Sequence, residues 1–580
     1  MNEEQLHKAR HSIAHLMAGA IQELYPDAKN TIGPAIDNGF YYDYDFATPI
    51  SDKDLNKIEN KMRELSKKWD TFEQKFVTPA EAREMFKDNP YKLELIDGIE
   101  KDGQQVSIYT SGSFFDLCSG PHVANMKEID LGGFKLLKLA GAYWRGDEKN
   151  KMLTRIYGLA FENKAKLEEY LTQLSEAEKR DHRKLGKEMG LFIFSDLIGP
   201  GLPIYTFKGN AIRKEIMKYS NELQSAIGFQ EVHTPNMNKA ELFKVSGHYE
   251  KYKEDMMKVV SNYSKEEYFL KPMNCPQHTQ VYAAEKRSYR DLPIRIADFA
   301  NLYRDERPGE LNGLTRLRCF CQDDGHAFCR EDQIKQEFNN VLSAVNKALT
   351  TYKMSYVVRL SLWDSTKPEK YLGDKEVWEK AQKLLEEILI ESKVEYVVGV
   401  GEAAIYGPKM DFISTDALGR KWQISTIQLD LIMPVRFGLT YTDSDGKEKT
   451  PIMIHRALIG SPERFMGILI EHYAGNFPVW LSPMQVKIIP VRENHNEFAK
   501  KISDQLKSLD VRVDFDDRDE GMGKKIRAGK NERVPYMIVI GDKEMAENIL
   551  TIESRDTGAQ EKMSTEQFVE KITKEIKYRV

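Results

Sequence analysis

The chain opens on a helix-period pattern. Leu6, Ile13, Met17, Ala20, Ile21 and Leu24 recur at the spacing that lays apolar side chains along one helical face. His7, His11 and His15, four residues apart, stack roughly opposite that stripe. Turn-rich and strand-like segments follow, among them Thr31-Ile32-Gly33-Pro34 and the aromatic run Gly39-Phe40-Tyr41-Tyr42-Asp43. A charged, helix-prone stretch over 161–189 has the pattern of an inter-domain helix. From about 185 to 480 strand patterns alternate with helices, and Trp480-Leu481-Ser482-Pro483 punctuates the end of that region. Beyond it the signals VKIIPV, a helix through 498–506, VRVDFD and YMIVIGD form an α/β pattern of short buried strands. There is no internal repeat and no low-complexity tract.

Length multiplies the picture, because 580 residues exceed one compact domain and predict about four at roughly 150 residues each. With 41% hydrophobic and 30% charged residues there is apolar material for several cores, too much for a disordered chain. A formal charge of −5 excludes a generic polycation that coats nucleic acid, so any RNA contact must come from local basic patches. The five cysteines, Cys118, Cys275, Cys319, Cys321 and Cys329, fit no secreted disulfide framework and are read as reduced thiols of a cytoplasmic protein. Charges occupy the N-terminal segment where a signal peptide needs an apolar core, and no run approaches the ~18 apolar residues of a membrane span.

The chemistry concentrates in the middle region. Read as a strand, 316–324 places Arg316, Arg318, Phe320, Gln322 and Asp324 on one face and Leu317, Cys319 and Cys321 on the other. Arginines around an aromatic suit an anionic ligand bearing a planar base, and a solvated sheet face is the other reading. Upstream, Arg295-Ile296-Ala297-Asp298-Phe299 runs into Tyr303-Arg304-Asp305-Glu306, and the Gly/Pro-rich stretch 307–313 would join the two as an antiparallel pair. Further on, Ser461-Pro462-Glu463 is a helix start with Ser461 as N-cap. Arg464 then falls in the first turn, where backbone N–H groups already favour phosphate. An arginine there works against the helix dipole, which points to an anion; an incidental surface arginine is the alternative.

Together these segments resemble the signature motifs of class II aminoacyl-tRNA synthetases. Gly228-Phe229-Gln230-Glu231-Val232-His233-Thr234-Pro235 matches motif 1, Arg304-Asp305-Glu306…Phe320 motif 2 and Gly460…Arg464 motif 3. The resemblance implies an α+β multidomain protein whose catalytic core is an antiparallel sheet flanked by helices. It implies that Arg304 grips the α-phosphate of ATP, Phe320 stacks on adenine and Arg464 covers the nucleotide from the other side, with Glu306 and Arg316 in the same site. Mg²⁺ is expected with the ATP.

Neighbouring segments are similar to the threonyl-tRNA synthetase family over nearly the whole chain, notably Lys271-Pro272-Met273-Asn274-Cys275-Pro276, Gln322-Asp323-Asp324-Gly325-His326 and Ile454-His455-Arg456. In that family one Cys and two His hold a zinc ion, and they fall here on Cys275, His326 and His455, one per subunit. Spacings of 51 and 129 residues are far too long for a local zinc pattern, so spacing alone would not find this set. The tempting local cluster is Cys319-x-Cys321…His326-x2-Cys329, but alternation turns Cys319 and Cys321 away from His326, and its cysteines are read as core. The resemblance also places Lys409 among the catalytic residues and Met273, Gln322, Asp324, Tyr406, Gln428 and Ser461 around the amino acid. Gln423 and Thr426 fall with the ATP site.

Serine lacks only a methyl of threonine, which binding discriminates by about 10–200-fold, so a second, hydrolytic site is expected. The N-terminal region is similar to the family's editing domain, with His11, His15, Asp116, Cys118 and His122 as its candidates. By residue type three histidines and a cysteine could instead hold a structural zinc. The C-terminal region resembles the class II anticodon-binding domain, and between Arg518 and Arg533 six Lys/Arg stand against three Asp/Glu. Arg518, Asp519 and Glu544 are the candidate anticodon contacts.

The expected layout is an editing domain over 1–158, a linker helix region 159–188, a class II catalytic domain 189–480 and an anticodon-binding α/β domain 481–580. The small ubiquitin-like domain with which many family members begin is expected to be absent. Expected partners are tRNA(Thr), ATP, L-threonine and a second subunit, motif 1 forming the family's dimer interface, with no membrane. The rivals are a prolyl sister enzyme, a regulatory RNA-binding paralogue without catalysis, and an editing-only deacylase.

Overall fold

A computed structural model describes residues 1–416 and 419–580. The chain divides into two compact units, Met1–Ser175 and Glu176–Val580.

In the first unit, helix Glu3–Leu24 starts on a reciprocal cap in which the Asn2 side chain accepts from the Gln5 N–H and the Gln5 side chain accepts from the Asn2 N–H. The helix packs on an antiparallel sheet running Lys29–Asn30, Gly39–Asp45, Met152–Ala160, Phe134–Tyr143. Ile13, Met17, Ile21, Phe40, Tyr42, Tyr44, Trp69 and Phe134 share its core. The predicted apolar stripe is there, but every residue from Ser12 to Ile21 is buried. The histidine side is therefore no solvated face: His7 is exposed, while His15 is only 3% exposed. A second sheet pairs Glu73–Val77, Val106–Ser111 and Phe114–Leu117.

The charged stretch 161–189 forms two helices, Lys164–Arg180 and His182–Glu188. They break at Asp181, whose carboxylate accepts the Arg183 N–H at 2.7 Å and so caps the second helix.

The second unit is built on an eight-stranded sheet in the order Gln230–Glu231, Ile294–Tyr303, Cys319–Cys329, Ile452–Ala457, Lys421–Asp430, Lys409–Thr415, Ser355–Leu362, Tyr396–Val400. It is antiparallel except for the outermost pair at each end. Alternation splits its faces. Ile427, Leu429, Ile454, Met410 and Phe412 join Ile216 of helix Phe207–Ala226, Val345 of helix Ile334–Thr351 and Phe465 of helix Pro462–His472 in one large core. The alternate residues, Thr426, Gln428, His455 and Lys409, line a cavity.

The predicted hairpin forms, joined through 304–318. Its second strand begins at Cys319 rather than at Arg316, because residues 312–316 close on themselves: the Thr315 and Arg316 N–H groups both donate to the Asn312 carbonyl. Cys321 and Cys329 are buried as expected, whereas Cys319 at the strand's start is half-buried.

A smaller sheet follows in the order Val513–Phe515, Val486–Pro490, Tyr536–Ile540, Leu550–Ser554, Gln560–Met563. Its first three strands are parallel and the last two antiparallel, so the C-terminal layer is mixed. Helices Asn496–Lys507 and Thr565–Tyr578 close its core through Ile502, Leu506, Phe568 and Ile572. The α+β multidomain expectation holds. No helix among the described residues is long and apolar enough to cross a membrane.

Candidate active sites

A cavity of about 810 Å³ lies over the sheet face that the core helices leave free. Met273, Cys275, Arg304, Glu306, Arg316, Gln322, Asp324, His326, Tyr406, Lys409, Gln423, Thr426, Gln428 and His455 all line it. An adjoining cavity of about 560 Å³ shares its arginine-rich wall and adds Phe320, Ser461 and Arg464. The sequence candidates of the middle region thus meet in one continuous site, with Ser461 on the side of Arg464 rather than among the first cavity's residues.

Strand register explains how residues so far apart meet. His326 stands directly opposite His455 on the next strand, and His455 opposite Gln428 on the one after. Cys275 completes the row from the first turn of helix Cys275–Ala283. The ligating atoms of Cys275, His326 and His455 lie within 4.8 Å of one another, and all three residues are buried. His455 Nε2 is 2.8 Å from Asp430 Oδ2, which fixes its proton on Nε2 and leaves Nδ1 as a lone pair toward His326, 3.0 Å away. His326 Nδ1 meets His278 Nδ1 at 2.6 Å. One thiol and two imidazole lone pairs converging at the buried wall of the cavity, with a carboxylate behind one imidazole, is the donor set of a three-ligand zinc site, and the residues fit it. The unpartnered, buried Gln428 Oε1 at the same level is an acceptor awaiting a donor. Burial pushes the Cys275 thiol well up and the His326 imidazole well down from their ordinary values, so without a cation both stay neutral. Burial likewise lifts Asp324 to about 7, with Arg456 opposing and Asp323 and Asp298 adding to it.

Ser461 is the N-cap the sequence predicts: its Oγ accepts the Arg464 N–H at 3.2 Å. Arg464 stands over the Trp422 ring and Arg304 over Phe320, 5.8 and 5.1 Å from the ring centroids. Arg464 Nε is buried without a partner, and among the described residues no carboxylate forms an ion pair with either arginine. Burial and the Arg304 charge hold the Arg464 pKa below its ordinary value. Two cations that border one cavity with no carboxylate in ion-pair contact, Glu306 and Asp255 acting on Arg304 only from farther off, form an anion site.

The sequence missed the groups that aim these side chains. Asp411, fully buried, pairs with Lys409 at 2.9 Å and accepts from Gln423 Nε2 at 2.8 Å and Thr426 Oγ1 at 3.0 Å. The Gln423 carbonyl and the Thr426 lone pairs are thereby left as acceptors. Asp323, also fully buried, accepts from Ser220 Oγ and from the N–H groups of Leu458, Ile459 and Gly460, tying helix Phe207–Ala226 and strand Cys319–Cys329 to the start of motif 3. Asp411 and Asp430 were within reach of strand alternation, two residues from Lys409 and Gln428; His278 shares a helical face with Cys275. His248, 1% exposed and lining the first cavity, carried no signal.

In the first unit His7, His11, His15, Asp116 and Cys118 line a separate cavity of about 490 Å³. The ligating atoms of His11, His15, Cys118 and His122 again lie within 4.8 Å of one another. His11 Nδ1 donates to the Pro121 carbonyl at 3.2 Å. Ser12 Oγ gives its proton to the Lys8 carbonyl and so accepts from His122 Nδ1 at 3.1 Å. Both Nε2 lone pairs then face Cys118 Sγ, each at 3.4 Å. Burial lowers the pKa values of His11, His15 and His122 and lifts the Cys118 thiol to about 11, so the cluster is neutral. Beside it Asp116 forms a buried pair with Lys92 at 2.6 Å and accepts from the Tyr42 hydroxyl. Neither Lys92 nor Tyr42 was singled out, since both sit in stretches whose composition reads as ordinary helix and strand.

Of the C-terminal candidates, Asp519 is exposed and Arg518 is paired with Asp516 at 2.7 Å. Glu544 accepts from the Gly541 N–H and from Thr551 Oγ1, which ties it to the fold.

Three family models match the chain: the tRNA synthetase class II core domain (G, H, P, S and T) over 243–473, an anticodon binding domain over 485–575, and the threonyl and alanyl tRNA synthetase second additional domain over 106–157. The threonine–tRNA ligase of Gloeobacter violaceus is 46% identical, the match covering 96% of this chain and 90% of that one. The same-named protein of Porphyromonas gingivalis is 47% identical over 99% of this chain and 88% of its own. Among solved structures, the RNA binding domain of threonyl-tRNA synthetase from Cryptosporidium parvum superposes with a TM-score of 0.65 at 36% identity, covering 68% of this chain and 98% of that one. With a class II site assembled from three distant motifs and likeness along nearly its whole length, the chain belongs to the threonine–tRNA ligase family.

Proposed function

We propose that the site residues divide the ligase reaction as follows. ATP lies bent over the sheet, with Arg304 and Arg464 on its phosphates, Phe320 under adenine, and Glu306, Arg316, Gln423 and Thr426 around base and ribose. Mg²⁺ accompanies the phosphates. L-Threonine occupies the first cavity among Met273, Gln322, Tyr406, Lys409 and Gln428, and Asp324 accepts a hydrogen bond from its hydroxyl. Ser461 acts as the cap that presents Arg464. Cys275, His326 and His455 would hold a zinc ion, which when bound would act as a Lewis acid toward the amino group and hydroxyl of the amino acid. The threonine carboxylate attacks the α-phosphate, pyrophosphate leaves, and Arg304, Arg464 and Lys409 neutralise the charge that develops. The threonyl group then passes to the 3′ end of tRNA(Thr), whose anticodon meets Arg518, Asp519 and Glu544.

The cavity of the first unit hydrolyses seryl-tRNA(Thr), with His11, His15 and His122 supplying lone pairs for a water and Lys92–Asp116 a fixed charge pair, and needs no metal. The protein works as a cytoplasmic homodimer through motif 1.

The observation that carries the reading is the buried Cys275–His326–His455 row beside two arginines that no carboxylate among the described residues holds in an ion pair. ATP–pyrophosphate exchange with threonine, serine, valine and proline tests it. Strong exchange with threonine, some with serine and almost none with valine or proline is expected. Exchange with proline would move the site to a sister specificity, and none at all would favour a non-catalytic RNA-binding role.

A further inference from the structure

One buried hydrogen-bond chain belongs to neither histidine cluster and ends on the nucleotide cavity. His182 begins helix His182–Glu188 and is 3% exposed; Glu471, in helix Pro462–His472, is 4% exposed. Glu471 Oε1 lies 2.6 Å from His182 Nδ1 and also accepts the His182 backbone N–H at 3.0 Å. The second carboxylate oxygen pairs with Arg420. Because a carboxylate accepts, the imidazole proton sits on Nδ1, and Nε2 is left as a lone pair. That lone pair accepts the Leu314 N–H at 2.9 Å. Both ring nitrogens are committed, so the imidazole has one tautomer and one orientation.

Leu314 lies in the closed turn 312–316, outside the sheet ladder. The turn carries Arg316, whose guanidinium lines both cavities and pairs with Glu306 at 2.7 Å and Glu310 at 2.9 Å. The fit of ring to turn is close. Gly313 has φ +49°, and a Cβ there would fall 2.1 Å from His182 Nε2. A Cβ at Gly467, on the helix below, would lie 3.3 Å from the Leu314 Cβ. A histidine kept only for packing would need no acceptor aimed at a loop amide.

We propose that His182 is a positioning residue for ATP. Oriented by Glu471 on the motif 3 helix, it holds the turn that presents Arg316, so that motifs 2 and 3 close on the nucleotide as one unit. This rests on the assignment of the adjoining cavity to ATP.

The test is pyrophosphate exchange by the full chain at varied ATP and varied threonine, with thermal melting alongside, for His182→Asn, His182→Gln and Gly313→Ala. Asparagine keeps an amide donor for Glu471 but falls short of Leu314, whereas the glutamine carbonyl reaches the position of Nε2. H182N is expected to raise the KM for ATP roughly five- to tenfold, the worth of one lost hydrogen bond, with the KM for threonine within about twofold of wild type. H182Q should recover most of the loss. G313A leaves His182 in place and displaces the turn, so it should raise the KM for ATP in the same way even where the asparagine variant folds poorly. Normal wild-type exchange with an unmoved KM for ATP in H182N and G313A would overturn the proposal alone. So would equal rises for ATP and threonine that track the loss of melting temperature. Absence of exchange by the wild-type chain would overturn the nucleotide assignment, and this proposal with it.

Discussion

Cys275–His326–His455 and His11–His15–Cys118–His122 both gather histidine and cysteine ligand atoms within 4.8 Å, three in one and four in the other, yet their surroundings differ. In the second unit's site the back of His455 rests on a buried carboxylate, Asp430, at 2.8 Å, which orients the ring and puts a negative charge behind it. In the first unit the backs of His11 and His122 rest on a carbonyl and a hydroxyl, both neutral. There the charged groups, Lys92 and Asp116, are already paired with each other next to the cluster. The ligand types are the same in the two places, and the partner behind each ring is the difference that fits a zinc site proposed for one and a hydrolytic site proposed for the other.

Metal removal should split the two regions most widely. After exhaustive chelation, threonine-dependent pyrophosphate exchange is expected to fall about a thousandfold or more, matching the several kcal/mol a bound metal contributes. Seryl-tRNA deacylation should stay within about twofold, and elemental analysis of the untreated protein should find one zinc per chain. Equal loss of both activities would place a required metal in the first unit as well.

Two single substitutions cross the comparison at smaller size. His15→Ala should slow deacylation by about a hundred- to ten-thousandfold, the range of a lost general base, without touching exchange. Arg464→Ala should do the reverse, lowering exchange by about a hundred- to a thousandfold, the value of one preorganised charge stabiliser, while deacylation continues. Parallel losses in either variant would mean that the regions do not work separately.

How much of this was legible from residues alone follows the range of the interactions. Helix Glu3–Leu24, the Ser461 cap and the hairpin around 304–318 rest on local periodicity and capping, and each forms. The Cys275–His326–His455 set depends on cross-strand register between segments 129 residues apart, which periodicity does not encode; it came from family resemblance. The strand start at Cys319 was misplaced because residues 312–316 close on the Asn312 carbonyl, a turn whose Leu314 N–H is taken by His182, far away in the chain. The editing helix looked two-faced because histidines count as polar, although a polar residue facing an internal cavity and one facing bulk water leave the same pattern. Asp411, Asp430 and Lys92 went unnoticed for a related reason. A lone acidic or basic residue in a strand or helix reads as solvated until its burial is known.

The finest test of the contrast is Asp430→Asn, which changes one atom behind His455. The negative charge that strengthens Nδ1 as a ligand is gone. Asp430 also accepts the N–H groups of Ile432 and Met433 through Oδ1, at 2.8 and 2.9 Å. Those two backbone donors keep the amide oxygen, so in the variant the NH₂ faces His455 Nε2 and donates to it, which moves the ring proton to Nδ1, the nitrogen that faces the cluster. Zinc affinity should weaken about ten- to a hundredfold, read by competition with a chromogenic chelator, and exchange at limiting zinc should fall in step and return when zinc is added. Deacylation should be unaffected. If affinity is unchanged, the carboxylate only supports the 430–433 turn, and the difference between the two histidine clusters must lie in their burial rather than in the partner behind the ring.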